Sequence, residues 1–313
     1  MSKKFILIFG GLVLIMLVLV AGAASAQESC ADCHNDTTII TGKETAWAES
    51  MHGTGEAYVR GASASCAGCH SGGAFSAMVA AGLTPDMVEE GDPNPTRQDC
   101  RACHNIHVTY TAEDWSLETT DAVTLYAFED VVFDGDKGSL CANCHQPRRQ
   151  MVVEDGMVDV TSTHWGPHHG PQSAMLLGVG GALEVESEGR ESEHYRETEQ
   201  TCVTCHIYND SHTFEPTLDA CLDCHEEAES FDIEGVQTQV DELVAELQEA
   251  LVAAGMLEGD EEHGFHPVVG VYPEAEAGAL WNYIIIVIED SSTGAHNSDY
   301  TIDLLEASIA AMQ

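Results

Sequence analysis

Every cysteine of this chain belongs to one short pattern, in which two cysteines lie three residues apart and a histidine follows the second. The pattern occurs six times and uses all 12 cysteines. The copies are Cys30/Cys33/His34, Cys66/Cys69/His70, Cys100/Cys103/His104, Cys141/Cys144/His145, Cys202/Cys205/His206 and Cys221/Cys224/His225. A thiol pair can form a redox dithiol, half of a zinc site or part of a disulfide framework. None of these needs a histidine after every second cysteine.

The CxxCH pattern is typical of covalent c-type haem attachment. The two thiols add to the two vinyl groups of a porphyrin, and the adjacent imidazole reaches the iron from one face as the proximal ligand. Zinc is the main alternative, but tetrahedral zinc needs four ligands per site and gives the adjacent histidine no regular role. We therefore predict six covalently bound haem c groups, held by the 12 cysteines. The proximal iron ligands would be His34, His70, His104, His145, His206 and His225.

Ten further histidines can complete the coordination of these irons from the opposite face. His107 and His212 each follow a motif closely, so a short loop would hold them near an iron. The small and rigid residues of THWGPHHGPQ favour a fixed turn around the histidines of that stretch. The predicted distal ligands are His52, His107, His164, His168, His212 and His296. His169 is the substitute for His168, and we expect His194, His263 and His266 to be solvated.

The N-terminus predicts the compartment. Lys3 and Lys4 precede an apolar run, and Ala24-Ser25-Ala26 provides a cleavage site, so residues 1–26 are typical of a secretory signal peptide. An uncleaved membrane anchor is the alternative, because the apolar run is nearly long enough to cross a bilayer. In either case the haem region lies outside the cytoplasmic membrane. We expect a secreted protein, extracellular, periplasmic or at the cell surface, bound to a membrane only if the segment stays uncleaved.

Charge excludes one class of partner. The chain has 53 acidic and 11 basic residues, a formal net charge of −42 at pH 7. Such a surface repels nucleic acid, so no nucleic-acid partner is expected. It attracts basic redox proteins and multivalent cations, and salt screens this attraction.

Length and spacing predict the architecture. About 287 residues would remain after cleavage to enclose six haems, too few for a large conventional core around each one. We predict a multihaem cytochrome c fold: mostly irregular loops and short α-helices around a covalent haem chain, with little β structure. Residues 27–227 form the hexahaem-binding region, and residues 228–313 form a helical C-terminal region that contributes packing and a distal ligand.

Three helices are expected in that C-terminal region. The first follows an apolar stripe at helical spacing: Val236, Val240, Leu243, Val244, Leu247 and Leu251. A second should run from about Glu276 to Glu289, although its IIIVI segment could also be a buried strand. The last follows the capping signal Asn297-Ser298-Asp299.

The motifs give the chain a resemblance to the multihaem c-type cytochromes over most of its mature length. The stretch WNYIIIVIEDSSTGAHNSDYTIDLLEAS also resembles the closing helices of cytochromes related to the pentahaem nitrite reductases and the hydroxylamine oxidoreductases. That likeness implies a distal-ligand role for His296. The chain lacks the CxxCK motif that attaches the active haem of the nitrite reductases. In haem density, size and secretion it is similar to extracellular conductive cytochromes, which assemble into filaments.

These features predict an electron carrier and no catalytic residues. Six haems with two histidine ligands each would pass single electrons between redox partner proteins or extracellular electron acceptors, in a monomer or in a homopolymeric filament. The alternative from another class is a reductase of nitrite, hydroxylamine or a related small substrate, which needs an open iron position. A haem or electron storage protein is a third reading.

Overall fold

The structure is a computed structural model that describes residues 38–168, 170–260 and 262–313. The predicted signal peptide, the first motif with Cys30, Cys33 and His34, and the substitute ligand His169 lie outside the described residues. Among the residues that are described, no helix is long and apolar enough to cross a membrane.

The part of the chain that contains the motifs consists of short helices joined by irregular segments. Its α-helices are α1 (Thr38–Glu49), α2 (Met51–Thr54), α3 (Ala64–His70), α4 (Gly72–Ala80), α5 (Cys100–Cys103), α6 (Gly138–Ala142), α7 (Gln172–Leu176), α8 (Glu193–Glu197), α9 (Cys202–His206) and α10 (Leu218–Cys221). Short 3₁₀ helices cover Ala57–Ala62, Pro85–Met87, Ala112–Trp115, Tyr208–Asp210 and Ile233–Gly235.

Each described motif lies in, or begins at the end of, one of these short helices. In α3, α5 and α9 both cysteines of the motif are helical, and in α6 and α10 the first cysteine is. Residues three apart on a helix lie on the same face. The local structure therefore directs the two thiols of a motif toward one common partner.

Strands are few and short. β1 (Val123–Thr124) pairs with β2 (Val132–Phe133), and β4 (Leu257–Asp260) forms a hairpin with β5 (Gly264–Pro267). β3 (Met157–Val160) pairs in antiparallel register with β6 (Gly270–Pro273). The sequence does not predict the strands after residue 228. The β3–β6 pair joins the predicted haem-binding region to the predicted helical C-terminal region.

The C-terminal region contains the three expected helices and the largest hydrophobic cluster. They are α11 (Val236–Ala253), α12 (Glu274–Tyr283) and α13 (Ser298–Ala311). The IIIVI segment continues α12 as a π-helix over Ile284–Asp290, so it is not a strand. Leu247, Trp281 and Leu304 are fully buried where these helices pack together.

The helical region is fastened to the motif region by side chains that hold one loop. The Trp281 indole N–H donates to the carbonyl of Gly180 (2.9 Å), and the Tyr300 hydroxyl accepts from the backbone N–H of Gly181 (2.9 Å). A Cβ at Gly181 would lie 2.5 Å from the Leu304 side chain and 2.8 Å from the Tyr300 hydroxyl, so a larger residue would displace these side chains. The contacts fix the segment that follows α7.

Two valines of α11 give a matched test of this packing. Val240 is 1% exposed in the cluster, whereas Val252 on the same helix is 44% exposed. We expect Val240→Ala to lower the free energy of unfolding by about 2 kcal/mol, because it removes buried methyl groups and leaves a cavity. Val252→Ala should change it by less than about 0.5 kcal/mol. Urea unfolding followed by far-ultraviolet circular dichroism measures both, and equal effects would contradict the helix orientation.

Candidate haem sites

Five motif histidines each face one histidine from elsewhere in the chain. The paired rings have centroids 6.0 to 6.3 Å apart. Numbered by motif, the pairs are site 2 (His70 and His168, 6.0 Å), site 3 (His104 and His212, 6.3 Å), site 4 (His145 and His52, 6.2 Å), site 5 (His206 and His296, 6.3 Å) and site 6 (His225 and His194, 6.2 Å).

This separation fits two imidazoles on opposite sides of one metal ion. A metal–nitrogen bond of about 2.0 Å and a ring nitrogen about 1.1 Å from the centroid put opposed ring centroids about 6.3 Å apart, whereas a tetrahedral angle would give about 5.1 Å. The five pairs match the opposed arrangement. It leaves the plane between the rings for four further donors, as the nitrogens of a porphyrin supply.

The orientation of the rings fits the same chemistry. In three proximal histidines the Nδ1 N–H donates to an oxygen: His104 to the carbonyl of Trp115 (2.8 Å), His145 to the Gln172 amide (3.1 Å) and His206 to the carbonyl of Phe214 (2.8 Å). Three distal histidines do likewise: His194 to Ala295 O (2.7 Å), His212 to Asp210 O (2.9 Å) and His296 to Asp290 Oδ1 (2.6 Å). Such bonds fix the ring and leave Nε2 with its lone pair free for a metal.

Burial favours the neutral form, which metal ligation requires, in four of these ten imidazoles. Desolvation, with a smaller contribution from His145, lowers the pKa of His52 to about 4. Desolvation also lowers the pKa of His104, His145 and His206. A neutral imidazole keeps a lone pair for a metal ion.

His296 behaves differently because a carboxylate touches it. Burial alone would lower its pKa, but the attraction and hydrogen bond of Asp290 outweigh burial and raise the pKa. Asp290 is itself buried and also accepts from the Ser292 hydroxyl (2.5 Å). A carboxylate behind a ligand histidine makes the imidazole a stronger electron donor to its metal.

The distal histidines are positioned by local features of the chain. His52 lies in α2, where the Ser50 hydroxyl caps the helix by accepting from the Gly53 N–H. His168 has a φ of 77°, a left-handed backbone in the turn that the glycine-rich sequence predicts. His296 directly precedes Asn297, whose side chain caps α13 and donates to the carbonyls of Met175 and Arg190.

The motif cysteines bring neighbouring sites into contact. Between sites 2 and 4, Cys69 Sγ lies 3.7 Å from the carbonyl of Asn143, and Cys144 Sγ lies 3.8 Å from the carbonyl of Cys69. Between sites 4 and 5, the Cys141 and Cys202 thiols contact each other, and Cys202 Sγ lies 3.8 Å from the Gly138 carbonyl. Porphyrins bonded to these sulfurs would have adjacent edges.

Two motif cysteines are more exposed than the other described ones. Cys100 and Cys224 are exposed, whereas the other described motif cysteines are partly buried. Cys224 lies beyond the end of α10, in a turn where its backbone N–H and that of His225 both donate to the carbonyl of Cys221 (3.1 and 2.7 Å). Four residues of helix provide too little packing to cover the turn that follows them. Haem attachment by Cys224 therefore gains no support from burial and stays a prediction from the motif.

The same turn nevertheless lies next to site 5. Desolvation raises the pKa of the Cys205 thiol, and the nearby Cys221 and Cys224 thiols add smaller contributions in the same direction. The thiols of the fifth and sixth motifs are thus neighbours, as the short interval between the motifs predicts. An exposed Cys224 places site 6 at an edge of the group of sites, where a bound porphyrin would reach the surface.

Other side chains link the remaining sites. Phe214 packs against His52 of site 4 (4.7 Å between centroids) and His212 of site 3 (6.1 Å). Gln172 accepts from His145 and donates to the carbonyl of Glu289, near the Asp290 that holds His296 of site 5. At site 6, His194 donates to Ala295, the residue before His296. The five described sites therefore form one contiguous group.

The structure pairs four of the six predicted distal histidines with motif histidines, namely His52, His168, His212 and His296. His107 instead stacks on Tyr110 (5.4 Å), and His164 faces His266 (6.2 Å). His194, which the sequence suggested was solvated, faces His225. Its acidic surroundings, SEHYRE, gave no signal of this, because the pairing comes from the contact of α8 with the segment before α13. Haem ligation by each of these residues remains a prediction.

Asp290 and Asp299 allow a test of site 5 that controls for charge. We expect Asp290→Asn to raise the reduction potential of one haem, because the amide supports the His296 imidazole as an electron donor less strongly than a carboxylate does. Asp299→Asn removes the same charge from an exposed position and should leave that potential nearly unchanged. Spectroelectrochemical titration measures both. Equal shifts in the two variants would indicate a general charge effect.

Comparisons of the chain with protein-family models, with curated proteins and with solved structures found no match. The resemblance to multihaem cytochromes therefore depends on the CxxCH motifs. The facing histidine pairs are an independent structural feature that agrees with it.

Proposed function

We propose that this protein is an electron carrier with six covalent haem c groups that works outside the cytoplasmic membrane, and that it is not an enzyme. The observation that supports this most strongly is the set of five motif histidines, each facing a second histidine at the spacing of two axial ligands. Such a metal would have both axial positions filled by protein, which suits electron transfer and prevents substrate binding at the iron.

Bound haem c supplies the one-electron chemistry of iron. The chain's own residues provide attachment, ligation and placement. The six motif thiol pairs would hold the porphyrins, and Nδ1 hydrogen bonds fix six of the ten facing imidazoles, so little rearrangement of ligands would accompany reduction. The contacts between Cys69 and the fourth motif, and between Cys141 and Cys202, hold neighbouring sites close together. Short spacing between sites is what sequential electron transfer needs.

The reductase alternative requires an open iron position beside acid–base residues. At sites 2 to 6 the facing histidine would take the second ligand position of a bound iron, which argues against substrate binding there. The net charge of −42 would also repel nitrite and other small anions. The first motif lies outside the described residues, so the following experiment examines all six haems together.

The purified, secreted protein should have the mass of the mature chain plus six haems. We expect a ferric spectrum that is wholly low-spin and a reduced form that does not bind carbon monoxide, because two imidazoles occupy each iron. A mass equal to the bare polypeptide would refute the proposal. A high-spin haem that binds nitrite in the native protein would instead support the reductase.

A single substitution tests the pairing itself. His52→Ala should convert the haem of site 4 to a five-coordinate, high-spin form that binds carbon monoxide after reduction, because His145 loses its opposing ligand. The control His263→Ala changes an exposed histidine whose Nδ1 donates to Asp260 (2.9 Å) and should leave the spectrum low-spin. Magnetic circular dichroism measures the high-spin fraction. A wholly low-spin His52→Ala protein would contradict the assignment of site 4.

The physiological partners would be redox proteins or extracellular electron acceptors. The acidic surface favours basic partner proteins or metal-bearing acceptors over anionic ones. A homopolymeric filament is the second assembly that this function allows, because electrons could then pass from one copy to the next. Negative-stain electron microscopy of the secreted protein distinguishes the filament from the monomer.

A further inference from the structure

One histidine pair lies outside all six motifs. His164 and His266 face each other with ring centroids 6.2 Å apart and planes at 69°. They line one cavity of about 400 Å³ together with His263 and Glu258. We propose that this pair binds a hydrated divalent transition-metal ion, separate from the six haems.

The separation of the rings indicates the geometry of the bound ion. As at the haem sites, about 6.3 Å corresponds to imidazoles on opposite sides of a metal, whereas tetrahedral coordination would bring the centroids to about 5.1 Å. The measured 6.2 Å fits the opposed arrangement. Water molecules in the cavity would supply the remaining donors. Tetragonal and octahedral ions that prefer imidazole, copper(II) and nickel(II) above all, therefore fit better than tetrahedral zinc.

Two separate chain segments form the site. His266 lies on β5, directly opposite Glu258 of β4 in the hairpin register. His164 lies in the loop after β3, where its backbone N–H donates to the Ser162 hydroxyl (3.3 Å). The turn between β4 and β5 is held by Asp260, which accepts from the His263 ring and backbone (2.9 and 2.8 Å). The two imidazoles are thus held in place by backbone structure and not by long flexible linkers.

The surroundings favour a small cation over a seventh porphyrin. His164 and His266 are both exposed, and Glu258 lies beside them in the same cavity. A haem bound without thioether links would need extensive apolar walls to cover its faces. All 12 cysteines belong to the six motifs, so none can attach a porphyrin here. The strongly negative charge of the chain attracts a divalent cation and repels the propionates of haem.

Copper(II) is the probe, because it is the tightest-binding first-row divalent ion and gives an electron paramagnetic resonance signal. The untagged, metal-stripped and fully oxidised holoprotein would be titrated by isothermal calorimetry, in salt sufficient to screen the acidic surface. We expect one site clearly tighter than the background. His164→Gln and His266→Gln should each weaken it at least about tenfold and reduce the nitrogen coupling in the copper signal from two imidazoles to one.

His107→Gln is the control, because it removes an imidazole that stacks on Tyr110 and does not line this cavity. It should change the affinity by less than about threefold. If His266→Gln binds copper as tightly as the parent protein, only the acidic surface holds the ion and the proposal fails. A seventh haem of b type in the purified protein would overturn it in favour of a porphyrin.

The haem spectrum of each variant separates this inference from the proposed function. All six covalent haems should stay low-spin in His164→Gln and His266→Gln, which also shows that the variants fold. A new high-spin haem in His164→Gln would mean that His164 is a haem ligand, as the sequence predicts, and would overturn the copper assignment. Loss of copper binding with intact haems supports the site whether or not the haems carry electrons.

Discussion

The facing of two imidazoles, with ring centroids about 6 Å apart, is the constraint on which the rest of the proposed arrangement depends. Each of the five described motif histidines has one such partner, and the five pairs share nearly the same separation. A fold of short helices and irregular loops buries little apolar surface for its length, so covalently bound haems would supply much of its cohesion.

The same constraint joins parts of the chain that are far apart in sequence. Bringing His52 to His145, or His104 to His212, closes long loops, and that closure costs conformational entropy. Covalent attachment at the motif and axial ligation at the distal histidine would offset this cost, much as disulfides do in small secreted domains. The largest hydrophobic cluster of the described residues is built mainly on the C-terminal helices, and two smaller clusters lie in the motif region. Trp281 and Tyr300 connect the largest cluster to the Gly180–Gly181 loop, so the helical region can serve as the stable body against which the loops are held.

The sequence predicts the local features of this molecule better than it predicts which histidines and which strands pair. The stripe from Val236 to Leu251 predicted α11, and the cap at Asn297 predicted α13, because both patterns act within a few residues. The identity of a distal histidine depends on which segment crosses a motif in space. His194 faces His225 only because α8 packs near Ala295, and no spacing rule contains that contact. The pairing of β3 with β6 is another long-range contact that the sequence does not predict, because four-residue strands have almost no periodic signal.

Charge connects the proposed electron carrier with its environment. Every electron added to a bound haem would meet the field of a chain with a formal net charge of −42, which would disfavour reduction at all sites in the same direction. Differences between neighbouring sites then arise from local groups, and Asp290 behind His296 is the clearest example in the described residues. The net charge would lower the reduction potentials of all sites together, and a buried carboxylate would adjust one of them. Such a carrier can still pass electrons along its length. Salt screens surface charges but has little effect on a buried pair. Changes in ionic strength would therefore shift the potentials of all sites together, and would change partner binding, more than they would change the difference in potential between site 5 and the other sites that Asp290 causes.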